Sequence, residues 1–161
     1  PHVITLSHLP FTLFLLHYRA RAALDVTLGS ALVHFFAPKH HSRAMQLLDG
    51  VLKQNPKATA CLMGKGYIFL GEGRFTEARE QFEFALQTEN SNHIAVDQAM
   101  SNLELEAKEC VGWSMVKEGR LEDGRNKLLE VVDVLDQDES RIQDSARVWT
   151  RIGLAEWDMQ G

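Results

Sequence analysis

The sequence predicts an all-α fold, an α-solenoid of stacked helix-turn-helix units. Three observations carry this reading. Small and apolar residues recur three and four apart along most of the chain, the spacing of one helix face. Ala44, Leu48 and Val51 return 34 residues later as Ala78, Phe82 and Ala85, a period that belongs to stacked helix pairs. Gly71, Gly73 and the pair Arg74-Phe75 break one helical pattern and launch the next.

The organising stretch is Lys57 to Asn92, KATACLMGKGYIFLGEGRFTEAREQFEFALQTENSN. Gly66 and Phe69 fall on one face of its first helix. Ala78, Phe82 and Ala85 recur on its second. Small residues at Gly66 and Ala78 let the helices approach, and Phe69 and Phe82 fill the space beside that contact. This spacing resembles the tetratricopeptide repeat, whose pattern runs W-x2-L-G-x2-Y, then A-x3-F, then P. Gly66-x2-Phe69 stands for G-x2-Y and Ala78-x3-Phe82 for A-x3-F. Leu62 replaces the Trp and Asn90 the closing Pro.

Length and charge set the outer bounds. At 161 residues the chain fits one domain with a sizeable core. The net charge of −5 argues against a general nucleic-acid binder. Residues 1–57 carry six Lys/Arg against Asp25 and Asp49, a net of +4, and the remainder carries eleven against twenty acids, a net of −9. A solvated surface accounts for such a split, and two different neighbours are the alternative. Cys61 and Cys110 have no metal or C-x-x-C spacing and read as buried free thiols of a reducing compartment, cytoplasm or nucleus. With no initiator Met and a final residue inside a helical pattern, the chain reads as a fragment of something longer.

Residues 1–21 stand apart, with no acidic residue and the apolar run Leu9 to Leu16. That run is too short to span a bilayer and lacks a signal peptide's basic start. It reads as an unassigned apolar segment, a helix covering the open end of the array.

The first unit, 22–57, places Leu28-Gly29-x2-Leu32 on the first helix, with Phe35 and Phe36 near its end. Ala44-x3-Leu48-x2-Val51 lies on the second, and Pro56 closes the unit. Its turn, APKHHSR, is longer than the pattern requires. Asn55-Pro56 predicts an N-cap and first helical residue for the second unit, 58–92. Ser91 or Asn92 then caps a long helix over 93–118, with Glu104 and Lys108 four apart in the favourable order. Gly119-Arg120-Leu121 echoes Gly73-Arg74-Phe75, and Gly124, Leu128 and Val131 fill the second helix of this stretched third unit, 93–137. Asp136 to Glu139 is an acidic linker. Ser140-x2-Gln143 has capping-box spacing. Trp149-x2-Ile152-Gly153 opens the first helix of a fourth unit, 140–161, whose apolar face is expected to be left open.

No catalytic set assembles: G-x-S-x-G, H-E-x-x-H and phosphate-loop sequences are missing. Gly64-x-Gly66 sits within a helical pattern, so it is no dinucleotide fingerprint. His34, His40 and His41 lack a fourth ligand, and Lys39 and Arg43 make a small basic loop. A non-enzymatic chain without cofactor or metal is expected, a protein-protein interaction scaffold.

The repeat resemblance implies more. First helices of successive repeats line a concave face, and the residue after each helix glycine points to the groove: Ser30, Tyr67, Trp113 and Leu154. With neighbours one turn away, the candidate partner-binding residues are Val33, Met63, Tyr67, Leu70, Trp113 and Val116, with Glu109 nearby. Packing between repeats is the competing role for Tyr67 and Trp113. Chaperone-binding members clamp a carboxylate with Lys, Arg and Asn, where this chain has Val26, Ser30, Met63 and Tyr67; that clamp is not expected. The strings ALVHFFAPKHHSRAMQLLDGVL, CLMGKGYIFL and HIAVDQAMSNLELEAKECVGWSMVKEGRLEDGRNKLLEV further resemble the fungal tetratricopeptide scaffold subunits of superkiller (Ski) complexes, over residues 22–161. That resemblance implies a cytoplasmic scaffold holding an RNA helicase and a β-propeller subunit, in an assembly that feeds mRNA to the exosome for 3′-to-5′ decay. A peptide-binding adaptor of another assembly and the repeat arm of an enzyme remain the alternatives.

Overall fold

The computed structural model describes residues 9–34, 39–92 and 101–161, and all regular structure among them is helical. The order is α1 (Leu9–His34), α2 (His41–Leu52), α3 (Thr59–Gly71), α4 (Phe75–Asn92), α5 (Asn102–Lys117), α6 (Leu121–Leu135), a 3-10 turn (Glu139–Arg141) and α7 (Ile142–Gln160). Neighbours in sequence are neighbours in space: α1 packs on α2, α3 on α4, α5 on α6, and each pair on the helix that follows. Phe35 and Phe36, and the start proposed for a helix at 93, lie outside the described residues.

The core divides into three clusters along this order. Val33, Ala44, Leu48, Val51, Cys61 and Ile68 form the first. Leu62, Met63, Ala78, Phe82, Ala85, Ala107, Cys110 and Val111 form the second. Leu105, Val116, Leu128, Val131, Val132, Leu135, Val148, Ile152 and Ala155 form the third. Each cluster contains residues from a pair and from the next helix, so every pair covers the apolar side of its neighbour.

One contact recurs at the centre of each pair. A Cβ on Gly29 would lie 2.9 Å from Leu48 Cδ2, one on Gly66 would overlap the Phe82 ring, and one on Gly112 would lie 3.1 Å from Leu128 Cγ. The glycine of the leading helix thus seats the large residue of the trailing helix, four positions after that helix's own small residue: Ala44, Ala78 or Gly124. In α5·α6 the contact is reciprocal, because a Cβ on Gly124 would meet Val116 Cγ2 at 2.6 Å and the Gly112 carbonyl at 2.7 Å. No side chain fits between these two backbones.

The glycine-ended turns explain the abrupt reversals. Gly73 (φ 76°) and Gly119 (φ 85°) take the left-handed conformation, which side chains oppose. Around them, Arg74 N donates to Phe69 O and Gly73 N to Leu70 O, while Arg120 N donates to Met115 O and Gly119 N to Val116 O. These are matching Schellman ends. Arg74 then binds Glu77, and Arg120 binds Asp123 at 2.7 Å.

The helix starts differ from the sequence expectation. Asn55 Oδ1 accepts from Lys57 N, and α3 begins only at Thr59, so Asn55 makes a turn rather than a cap. Ser91 and Asn92 belong to α4, and the cap expected of them for a helix from 93 lies outside the described residues. The cap of α5 is Ser101, in extended backbone, whose side chain accepts from Glu104 N, so 93–118 is not one helix. Asp138, not Ser140, accepts the free N–H at the 3-10 turn. At Ser101 and Asp138 a short polar side chain nearer the first turn takes the capping role, since a cap works only within about three residues of its donor; α3 has Ala58 at its N-cap and no side-chain cap. Lys108 Nζ reaches Glu130 on α6 at 3.4 Å. Finally, α1 crosses residue 21 unbroken: Pro10 sits in its first turn, where no N–H is needed, and no glycine interrupts it before Gly29.

Gly50 lies on the exposed side of α2, and a Cβ added there would have nothing within 4 Å. Gly50→Ala is therefore expected to raise stability by about 0.5–1 kcal/mol. Urea unfolding measures it, and a loss of stability would contradict the open surroundings.

Candidate functional site: the face of α3, α5 and α7

Helices α3, α5 and α7 are tied together by polar side chains rather than by the glycine seats. Tyr67 on α3 packs edge-on against Phe82 at 5.3 Å between ring centroids. Its hydroxyl donates to Glu106 on α5 and accepts from the Cys110 thiol at 3.2 Å. Burial, with the neighbouring Cys110 and Glu106, holds the Tyr67 phenol well above its ordinary range. Burial also pushes the Cys110 thiol up to about 12 and the Cys61 thiol up to about 11. Both cysteines stay protonated at neutral pH, the unreactive form.

Glu109 on α5 is the most buried carboxylate of this face, with its side chain 3% exposed. Arg147 on α7 grips it with two hydrogen bonds, Nε to Oε1 at 2.9 Å and Nη2 to Oε2 at 2.8 Å. Arg151, one turn further on, brings Nη1 to 2.7 Å from Oε1, an ion-pair contact off the line of a hydrogen bond. Hydrogen bonding to Glu109 raises the Arg147 guanidinium above its ordinary range. Asp144 holds Arg147 from the solvent side at 2.9 Å. Trp113 completes the face, with Lys117 Nζ 4.7 Å and the Arg151 guanidinium 5.3 Å from its ring centroid, both within cation–π range.

Tyr67, Glu106, Glu109, Arg141, Arg147 and Arg151 are among the residues lining an open cavity of about 480 Å³. Its chemistry is that of a charged cleft with one aromatic wall. Among the described residues no group of three or more His, Cys, Asp or Glu is placed to hold a metal ion.

Of the six partner-binding candidates, Val33, Met63 and Val116 are buried, at 5%, 3% and 5% exposure. They hold helix pairs together: Val33 beside Ala44 and Leu48, Met63 beside Phe82, Val116 over Gly124. Tyr67, Leu70 and Trp113 are half-buried, and Tyr67 reaches the cavity wall. Ser30 is half-buried and Leu154 exposed. Sequence reading passed over Glu106, Arg147 and Arg151. The signal was there: Arg147 and Arg151 are four apart, one helix face, and Glu106 and Glu109 are three apart on another. What spacing could not convey is that α5 and α7 bring those faces together.

Among the described residues no helix is long and apolar enough to cross a membrane. Comparison with protein-family models and with curated proteins finds no match to the chain.

Proposed function

We propose that the chain is a non-enzymatic protein-protein interaction scaffold, an α-solenoid of tetratricopeptide-like repeats whose first helices present a binding face. The observation that carries this reading is the threefold recurrence of one packing contact, Gly29 with Leu48, Gly66 with Phe82 and Gly112 with Leu128. Stacked equivalent pairs make an extended surface and distribute recognition along it. On that surface a partner segment lies along α3, α5 and α7. It places an apolar or aromatic group against Trp113 and polar groups against the cleft of Arg147 and Arg151. The finer reading, resting on the resemblance of residues 22–161, is a cytoplasmic Ski-type scaffold that binds an RNA helicase and a β-propeller subunit in support of 3′-to-5′ mRNA decay.

Affinity capture from cells with the full chain as bait tests both levels. A Ski-type scaffold recovers a helicase and a propeller protein together, and recovery of neither removes that reading. For the face itself, Trp113→Ala is expected to weaken capture of the recovered partner at least about tenfold, the loss typical of an aromatic anchor. Lys117→Glu, an exposed change beside the same ring, is expected to weaken it too. Unchanged capture by both variants, with helicity intact, would refute the assignment.

A further inference from the structure

We propose that the cleft beside α3, α5 and α7 takes a lysine or arginine side chain of the partner segment, with its charged end on Glu106. This rests on the binding face proposed above and names the chemistry that the face selects. The charges of the cleft lead to it. Arg141 and Arg147 both bind Asp144, and Arg147 and Arg151 both meet Glu109. Those five groups answer one another at close range. Glu106 stands outside their network. Its hydrogen-bond partner is the Tyr67 hydroxyl, a neutral donor, and among the described residues no Lys, Arg or His makes an ion pair with it. The Tyr67 phenol reports the same imbalance: burial, Cys110 and Glu106 lead the influences on it, all hold it up, and no cation is among them.

The walls suit a long basic side chain. The cavity holds about 480 Å³, within the range of about 300–1,000 Å³ in which proteins enclose a ligand group. Leu105, Val131 and Leu135 line it together with Glu106. An aliphatic wall that ends at a carboxylate is the complement of a methylene stem that ends in a cation. Glu106 is half-buried, so an arriving ammonium or guanidinium meets less screening there than on open surface, and the bond it forms is charge-assisted. A carboxylate in the same place would face Glu106 with no free cation beside it.

The spacing along α5 fixes where the basic residue falls in the partner. Glu106 and Trp113 are seven residues apart, close to two turns, so they share one face about 10.5 Å apart along the axis. An extended peptide covers that distance in about three residues. The partner segment therefore carries its basic residue about three positions from the apolar or aromatic group that rests on Trp113.

A labelled peptide of glycine and serine, with blocked ends, one arginine and, three residues on, one leucine, is the probe. Its counterpart has citrulline, which keeps the shape of arginine without the charge. Fluorescence anisotropy against the whole chain reads both. The arginine peptide is expected to bind at least about tenfold tighter than the citrulline peptide at low salt, and the gap is expected to narrow as salt is added. Glu106→Gln is expected to erase the gap while circular dichroism and urea stability stay near the parent, because the amide oxygen still accepts from Tyr67. Equal binding of the two peptides overturns the proposal, as does tighter binding of a glutamate version, a gap that survives Glu106→Gln, or no binding of the arginine peptide at millimolar concentration. Trp113→Ala separates this result from the face itself. Equal binding of both peptides that Trp113→Ala weakens leaves the face standing without its preference for a cation, whereas binding indifferent to Glu106→Gln and Trp113→Ala alike refutes both.

Discussion

Replacing Arg147 and Arg151 together by methionine is expected to destabilise the chain by about 3–5 kcal/mol, while either replacement alone costs about 1 kcal/mol. The difference follows from Glu109. Its carboxylate is nearly inaccessible and meets both guanidinium groups, at 2.8 Å from Arg147 and 2.7 Å from Arg151. Losing one arginine leaves the other in contact, and the stem of the new methionine keeps the apolar packing. Losing both strands a charge away from water. The two singles should therefore fall short of the double, a coupling that measures the shared partner. Urea unfolding followed by circular dichroism reads it, with a drop in melting temperature of about 10 °C for the double variant. Adding Glu109→Leu to the double should recover most of the loss, because a buried ion pair exchanged wholly for apolar groups is commonly neutral. Strict additivity of the singles, or no recovery in the triple, would show that Glu109 is solvated after all.

The same ion pairs mark where sequence reasoning stops. The helix pairs were legible because their contacts are set by residues at fixed offsets on adjacent helices. Ala44, Ala78 and Gly124 all occupy buried positions opposite a glycine-bearing helix, and Leu48, Phe82 and Leu128 are fully buried. The turns at Gly73 and Gly119 were legible because their left-handed backbone needs glycine at one place. Helix starts were less so. Asn55, Ser91, Asn92 and Ser140 all have the chemistry of caps, and the choice of Ser101 and Asp138 depends on which side chain finds a free N–H.

The candidate face was the least legible. The residue after each helix glycine was expected to point to the groove, with packing between repeats as the competing role for Tyr67 and Trp113; Tyr67 is anchored by Glu106 and Cys110 while lining the cavity, and Trp113 is overlaid by Lys117 and Arg151. Polar contacts between α3, α5 and α7 join residues 38 to 43 positions apart in no constant register, from Glu109 with Arg147 to Tyr67 with Cys110. Only the stacking of whole pairs decides them.

Gly66 provides the second large effect. Gly66→Ala is expected to destabilise the chain by about 2–3 kcal/mol, even though alanine in place of glycine favours an isolated helix by about 1 kcal/mol. A Cβ there would come within 2.7 Å of Phe82 Cδ1 and Cζ, and closer still to Cε1. The ring has little room to retreat, being fully buried with Tyr67 against its edge. The helices must separate or the ring must leave its rotamer. Phe82→Leu should cost about 1–1.5 kcal/mol by itself, as a shape change in a packed core. In combination the smaller side chain relieves part of the overlap, because a Cβ would meet Leu48 over Gly29 at 2.9 Å and Leu128 over Gly112 at 3.1 Å, farther than it would meet the Phe82 ring over Gly66. The double variant is therefore expected to be more stable than the sum of the singles by about 1–2 kcal/mol. Thermal and urea unfolding of the four proteins complete the cycle. If the two changes add to within about 0.5 kcal/mol, the ring does not rest on Gly66. The three pairs would then not share a common lock, and the equivalence of Gly29, Gly66 and Gly112 on which a repeated architecture rests would lose its physical basis.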